Sequence, residues 1–248
     1  MGQWPISYML AVQDIELRYR RSLLGPLWVS AALIVTILAL AYVFSGVFGA
    51  SYVHYVSYVA AGLLTWQLLS TLVTDACSSV IDNTSLLQNA PLSLGLVAGR
   101  VALRNAMIFA HNFIAVTCLL LFFGVSPTPF LIFALPGALF ILILGFSASL
   151  MLGPLCARFR DVPLIVQNLM QVVFFLTPIF WIPTAASHRP SFIEVNPFYH
   201  FIQLVRAPML GEAPTLLDWE SSALCCAAVI FLAALSVSMT RKRLTLWL

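Results

Sequence analysis

Leu17-Arg18-Tyr19-Arg20-Arg21-Ser22-Leu23-Leu24-Gly25-Pro26-Leu27-Trp28 stands directly before an uncharged apolar run, Val29 to Phe48. Three arginines crowd together here, in a chain of 248 residues that is 61% hydrophobic and only 8% charged. About twenty apolar residues in a helix cross the hydrocarbon of a bilayer, and a basic cluster marks the end that stays in the cytoplasm. Gly25-Pro26 separates the basic segment from the span, because proline has no amide hydrogen and pushes the preceding residue out of helical geometry. The arginines therefore have two readings. They are a topological anchor, or they make a specific contact on a helix lying at the membrane surface.

Working outward, the composition allows one fold class. A soluble domain carries about a quarter charged residues, whereas this chain has a mean hydropathy of +0.99. It reads as an all-α polytopic membrane protein, a single transmembrane domain over 1–248. Residues 4–24 form an N-terminal amphipathic interface helix, and six transmembrane helices are predicted at about 28–48, 54–79, 105–123, 130–155, 164–181 and 219–239. Asp82-Asn83-Thr84-Ser85 is a helix-start signal. It opens a segment, 82–96, that is too short to cross and too apolar for a free loop, so a short cytoplasmic helix is expected, with Arg100 and Arg104 closing the stretch. Pro178 is expected to bend the far end of the fifth span. The proline-rich segment 182–218 reads as short re-entrant outer helices before the last span.

Six spans return both termini to one side. With that side cytoplasmic, ten of the twelve basic residues lie inside and only Arg189 and Arg206 outside, a strong positive-inside bias. Residues 1–16 carry Asp14 and Glu16 and lack an uninterrupted apolar core, so the first span is expected to act as the insertion signal.

Several chemistries find no support. There is no G-x-x-x-x-G-K-[ST] phosphate loop, no H-E-x-x-H and no clustered His/Cys set, so neither a cofactor nor a metal is expected. Basic runs suited to nucleic acid are absent from the sequence, and the five cysteines read as small buried hydrophobes. Gly145-Phe146-Ser147-Ala148 loosely resembles the nucleophile of an intramembrane serine protease, but no histidine on the last span could serve it. Gly145, Ser149 and Gly153 recur every fourth residue, which puts them on one helix face that another helix can approach closely.

Uncharged polar side chains are scattered through the spans, among them Gln67, Asn112, Gln167 and Gln171. They either bond between helices or line a conduit. Mid-span charge is missing except for Asp75 near an inner end, which argues against an ion-coupled carrier. Aromatics such as Tyr58 and Phe174 gather toward the outer half, as an interfacial belt or as faces on which sugar rings could stack.

Taken together, Asp14-Ile15-Glu16-Leu17-Arg18-Tyr19-Arg20-Arg21 through Trp28, Arg158-Phe159-Arg160-Asp161-Val162, Thr177-Pro178-Ile179-Phe180-Trp181 and Asn196-Pro197-Phe198 resemble the membrane subunit of type-2 ABC exporters, in particular the O-antigen and polysaccharide exporter permeases. The resemblance implies a transport subunit rather than an enzyme, a second copy of the chain, and two separate ABC ATPase subunits. It implies export of a glycan linked to undecaprenyl diphosphate across a bacterial inner membrane. Arg18, Tyr19, Arg20 and Arg21 would then meet the lipid diphosphate, for which guanidinium groups are suited. Asp82, Asn83, Leu86, Leu87, Gln88 and Pro91 would lie on the helix that couples to the ATPase. Here the chain departs from the pattern at Gln88-Asn89-Ala90-Pro91, where basic residues are common. Gln67, Asn112, Gln167, Gln171, Tyr58 and Phe174 are the candidate pore-lining residues. A small-lipid or drug exporter, and a membrane enzyme acting on lipid-linked sugars, are the other readings.

Overall fold

The computed structural model describes residues 4–20, 25, 27–89, 93–183 and 192–240; the side chains of Tyr19, Leu86 and Asn89 are outside that description. Every regular element among these residues is helical. The order is α1 (Trp4–Tyr19), α2 (Leu27–Val47), α3 (Tyr52–Ser78), α4 (Thr84–Asn89), α5 (Leu94–Phe122), a 3₁₀ turn (Pro129–Phe133) running into α6 (Ala134–Arg158), α7 (Val162–Leu176), α8 (Phe192–Val195), α9 (Pro197–Met209) and α10 (Leu216–Thr240).

Five of these are long and apolar enough to cross a membrane: α2, α3, α5, the 3₁₀ turn with α6, and α10. The fifth predicted span, 164–181, is shorter than expected. Its helix, α7, has 15 residues, which rise only about 22 Å against a hydrocarbon thickness near 30 Å. Pro178 ends the helix rather than bending it. Thr177, before the proline, sits at φ −94° and ψ 132°, the extended geometry that a following pyrrolidine ring imposes.

A second difference concerns 82–105. The expected single short helix over 82–96 is replaced by the six-residue α4 and by the start of α5. Ser93 caps α5, its hydroxyl accepting from the Leu96 amide at 3.2 Å. Arg100 and Arg104 are therefore the early turns of a long helix, not the close of the preceding segment. The turns themselves follow glycine. Gly49 and Gly124 adopt positive φ, and the amides three residues past each helix (Ala50, Val125) donate back to the carbonyls of Ser45 and Leu120.

The centre of the bundle is α3, most of whose apolar stretch is buried. It packs on α2, α5, α6, α7 and α9. The contact with α6 runs along the small-residue face expected from the sequence. A Cβ built on Gly145 would stand 2.6 Å from a Leu72 methyl, and one on Gly153 would stand 2.6 Å from the Ser79 hydroxyl. Gly137 makes the analogous contact with α9, where a Cβ would come within 2.6 Å of the Leu204 carbonyl oxygen. Backbone cannot rotate away as a side chain can, so Gly137→Ala is expected to cost about 1–3 kcal/mol. A lowered midpoint in thermal unfolding of the detergent-solubilised chain checks this, and an unchanged midpoint would contradict the contact.

In the outer half, the irregular segment after α7 is held by side chains. Tyr58 Oη donates to the carbonyls of Pro178 (3.0 Å) and Trp181 (3.2 Å), and Tyr55 Oη donates to that of Phe180. Arg206 on α9 donates to Pro178 O at 2.8 Å and Ile179 O at 3.4 Å, with its guanidinium 4.2 Å from the Tyr58 ring centroid. Arg206, counted on the outer side in the sequence, is buried, with 2% of its surface exposed. It reaches Gly62, ten residues or roughly 15 Å along α3 from Tyr52. Four consecutive carbonyls that would be orphaned in hydrocarbon are satisfied by this arrangement.

Candidate functional site: a polar cleft and its charge network

A cavity of about 90 Å³ opens between α1, α2, α3 and α5. Arg18, itself exposed, contributes to its wall, together with Gln67, Thr71, Asp75, Asn105 and Asn112. A wider cleft of about 500 Å³ shares Val29 and Gln67 with it and adds Trp28 and Trp66.

The polar wall is wired across three helices. Ser30 Oγ on α2 donates to Asn112 Oδ1 on α5 at 2.6 Å, and Asn112 Nδ2 donates to Gln67 Oε1 on α3 at 3.2 Å. Of the proposed pore residues, these two are brought together, and they satisfy one another. That leaves Gln67, half-buried, as the one that borders both cavities. Phe174 joins an aromatic cluster, 5.6 Å from both Trp66 and Phe180, and Tyr58 bonds the segment that follows α7. Gln167 and Gln171 stand on the exposed face of α7.

Below the cleft lies a network that the sequence did not single out. Asp14 on α1 receives both Nε (2.8 Å) and Nη2 of Arg100, and Nη1 of Arg104 at 3.1 Å. Arg104 Nη2 also donates to Asp75 at 2.8 Å, as does Asn105 Nδ2. The side chains are 14–26% exposed. Arg100 Nη1 turns the other way, to Asn83 Oδ1, in the turn that precedes α4. Burial pushes the Asp14 carboxyl up, but Arg100 and then Arg104 outweigh it and hold it below the ordinary carboxylate value. The partners are 17 to 90 residues apart, so no local motif announces them. What the sequence offers is a charge inventory so sparse that Asp14 and Asp75 had few possible partners.

The network also fixes α1. Ser7 Oγ donates to Leu96 O at 3.1 Å, Ala11 is fully buried, and α1 lies along α5 while Trp4, Tyr8, Met9 and Leu17 stay exposed. Arg20 is exposed beyond the helix end; Tyr19 as a side chain, and Arg21 altogether, lie outside the described residues. Among the expected coupling residues, Asn83 is buried and bonded, Asp82 and Gln88 are exposed and Leu87 is half-buried. The Leu86 side chain and Pro91 lie outside the described residues.

The cavity thus brings Arg18, the carboxylate of Asp75 and several neutral hydrogen-bonding side chains together, with the paired charges of Asp14, Arg100 and Arg104 joined to it through Asp75. The sequence profile of the ABC-2 type transporter family matches residues 7–210, which includes all of these residues. The chain is similar to the O-antigen export system permease protein RfbA of Klebsiella pneumoniae, at 22% identity over 80% of this chain and 78% of the relative. It is also similar to the protein of that name from Myxococcus xanthus, at 26% identity over 76% and 74%.

Proposed function

This chain belongs to the ABC-2 type transporter family, and from that premise we propose that it is the permease subunit of an ABC exporter for O-antigen-like polysaccharide, carried on a lipid diphosphate. It is a multi-pass membrane protein and a transport subunit, and the family brings with it an ABC ATPase as partner. We place it in a bacterial inner membrane with both termini cytoplasmic, as a pair of copies served by two ATPase subunits. Supporting the sixth crossing this requires, α7 continues into a segment whose carbonyls are satisfied by Tyr55, Tyr58 and Arg206. Irregular backbone at membrane depth is tolerated only under such conditions. The exposed face of α7, with Gln167, Asn168 and Gln171 beside Leu169 and Val172, is where the second copy and the polar conduit between copies would lie.

The observation that carries the reading is Arg18 on the wall of a polar cleft lined by α1, α2, α3 and α5. A diphosphate carries charge and acceptor oxygens that guanidinium groups match bidentately, and Arg20, two residues on and exposed, offers a second guanidinium. In the proposed path the head group docks here and the glycan follows between the copies, while the polyprenyl tail stays in lipid. The short α4 region, from Asp82 to Pro91, meets the ATPase.

Arg18→Gln combined with Arg20→Gln is expected to leave the protein inserted at normal levels while surface polymer falls by roughly tenfold, the equivalent of one lost charge-assisted contact per step. Polymer attached to lipid should accumulate inside the cell. Undiminished surface polymer in the double variant would sink the assignment of these arginines. A deletion strain that accumulates no internal polymer would sink the substrate class.

A further inference from the structure

Away from the cleft, α6 and α10 form an extensive helix pair, yet near their shared end they part around a slot of about 300 Å³. Its sides are apolar, built from Met151, Pro154 and Leu155 on α6 and Leu232, Leu235 and Met239 on α10, and Arg158 stands at one end, its guanidinium 5.0 Å from the ring centroid of Phe159, which also lines the slot. Two hydroxyls also reach the slot, but both are spent on backbone: Ser236 Oγ donates to Met151 O at 3.3 Å, and Thr240 Oγ1 donates to Ser236 O. From Met151 to Arg158 the slot runs seven residues, roughly 10 Å along the helix. It opens outward, since Leu235 is 47% and Met239 68% exposed.

An apolar slot on the outside of a membrane bundle does not hold water, which would have no partners there. Hydrocarbon chains of the bilayer fill it. The charge at its end then selects among lipids. A guanidinium presents several N–H donors in a plane and binds phosphate oxygens in pairs, and basic pockets between membrane helices favour anionic head groups. We propose that this slot is a binding site for an anionic phospholipid, with one acyl chain along Met151, Leu155 and Leu235 and the phosphate on Arg158. Which leaflet supplies the lipid rests on the orientation proposed above; binding itself does not.

The full chain, purified from membranes and exchanged into mixed micelles holding equal phosphatidylglycerol and phosphatidylcholine, is weighed intact by native mass spectrometry. Phosphatidylglycerol is expected to dominate the retained lipid. Arg158→Gln is expected to lower its retention by roughly tenfold, the loss of one charge-assisted contact. Leu235→Trp, which fills the slot, should lower retention of both lipids. Should that variant not fold, Met239→Trp closes the same slot from a more exposed position. Arg160→Gln, exposed and outside the slot, should change nothing. If Arg160→Gln matches Arg158→Gln, the attraction is a diffuse surface effect and the proposal fails. It fails also if the tryptophan variants retain lipid as the native chain does. No transport is read in this experiment, so its outcome is independent of the substrate assignment.

Discussion

Replacing Gly62 by alanine is expected to destabilise the fold by about 3–5 kcal/mol, more than deleting the arginine that Gly62 faces. A Cβ at that position would lie 2.3 Å from Arg206 Nη2 and 3.0 Å from the Ile179 carbonyl oxygen. The guanidinium is the far end of a flexible side chain and would ordinarily swing aside. Here it is enclosed, pinned to Pro178 O and Ile179 O and covered by the Tyr58 ring. Moving it strands a buried cation and frees carbonyls on a segment with no helical bonds of its own. Arg206→Met loses the same hydrogen bonds but removes the cation as well, so its cost is smaller. The double variant Gly62→Ala with Arg206→Met has room for the added methyl, and should be more stable than Gly62→Ala alone. That sign of non-additivity is the test. Thermal unfolding of the four proteins in one detergent measures it, and strictly additive effects would mean that the contact does not hold the outer segment.

The same region shows how far the sequence could be read. The α2 and α3 crossings follow from apolar runs of the right length, and the α6 contact follows from the i, i+4 spacing of Gly145, Ser149 and Gly153. Local chemistry was decisive in each. What the sequence leaves open lies where local and tertiary preferences diverge. Arg206 is an outer charge by position in the chain, and its burial is not legible there: α9 packs Phe201, Ile202, Leu204 and Val205 into the core and takes the arginine with them. Arg100 and Arg104 look like a boundary because charge usually ends a span. A serine cap at Ser93 instead starts the helix before them, and their charge is offset by Asp14 and Asp75 from elsewhere in the chain. Tyr58 reads as a belt or pore residue, and the sequence does not show that its hydroxyl bonds the carbonyls of Pro178 and Trp181. A polar residue in a span announces that it needs a partner; it does not say which one.

Asp14→Ala is expected to uncouple export from ATP turnover while leaving the chain in the membrane. Among the described residues, Asp14 is the carboxylate that faces both Arg100 and Arg104, and through Arg100 it is joined to Asn83 in the turn before α4. A displacement of α4 by an ATPase would therefore reach α1, and with it Arg18, through two charge-assisted bonds rather than through loose packing. Its folded-state pKa is depressed. The ion pair therefore contributes fully at neutral pH and is lost only as pH falls through a value below the ordinary 3.8. With side chains 14–19% exposed, the loss on Asp14→Ala is about 1–3 kcal/mol after allowance for solvent screening. That is enough to free α1 from α5 without unfolding the bundle. Export should fall on the order of tenfold, with ATP hydrolysis by the reconstituted pair of subunits largely retained. Asp14→Ala with Arg100→Met should regain part of the lost stability, because no guanidinium is then left without its counter-ion, yet remain uncoupled, because the bond to Asn83 is gone. Stability and coupling thus separate. If the double variant recovers export along with stability, the network is a brace for the fold and the route from α4 to α1 lies elsewhere.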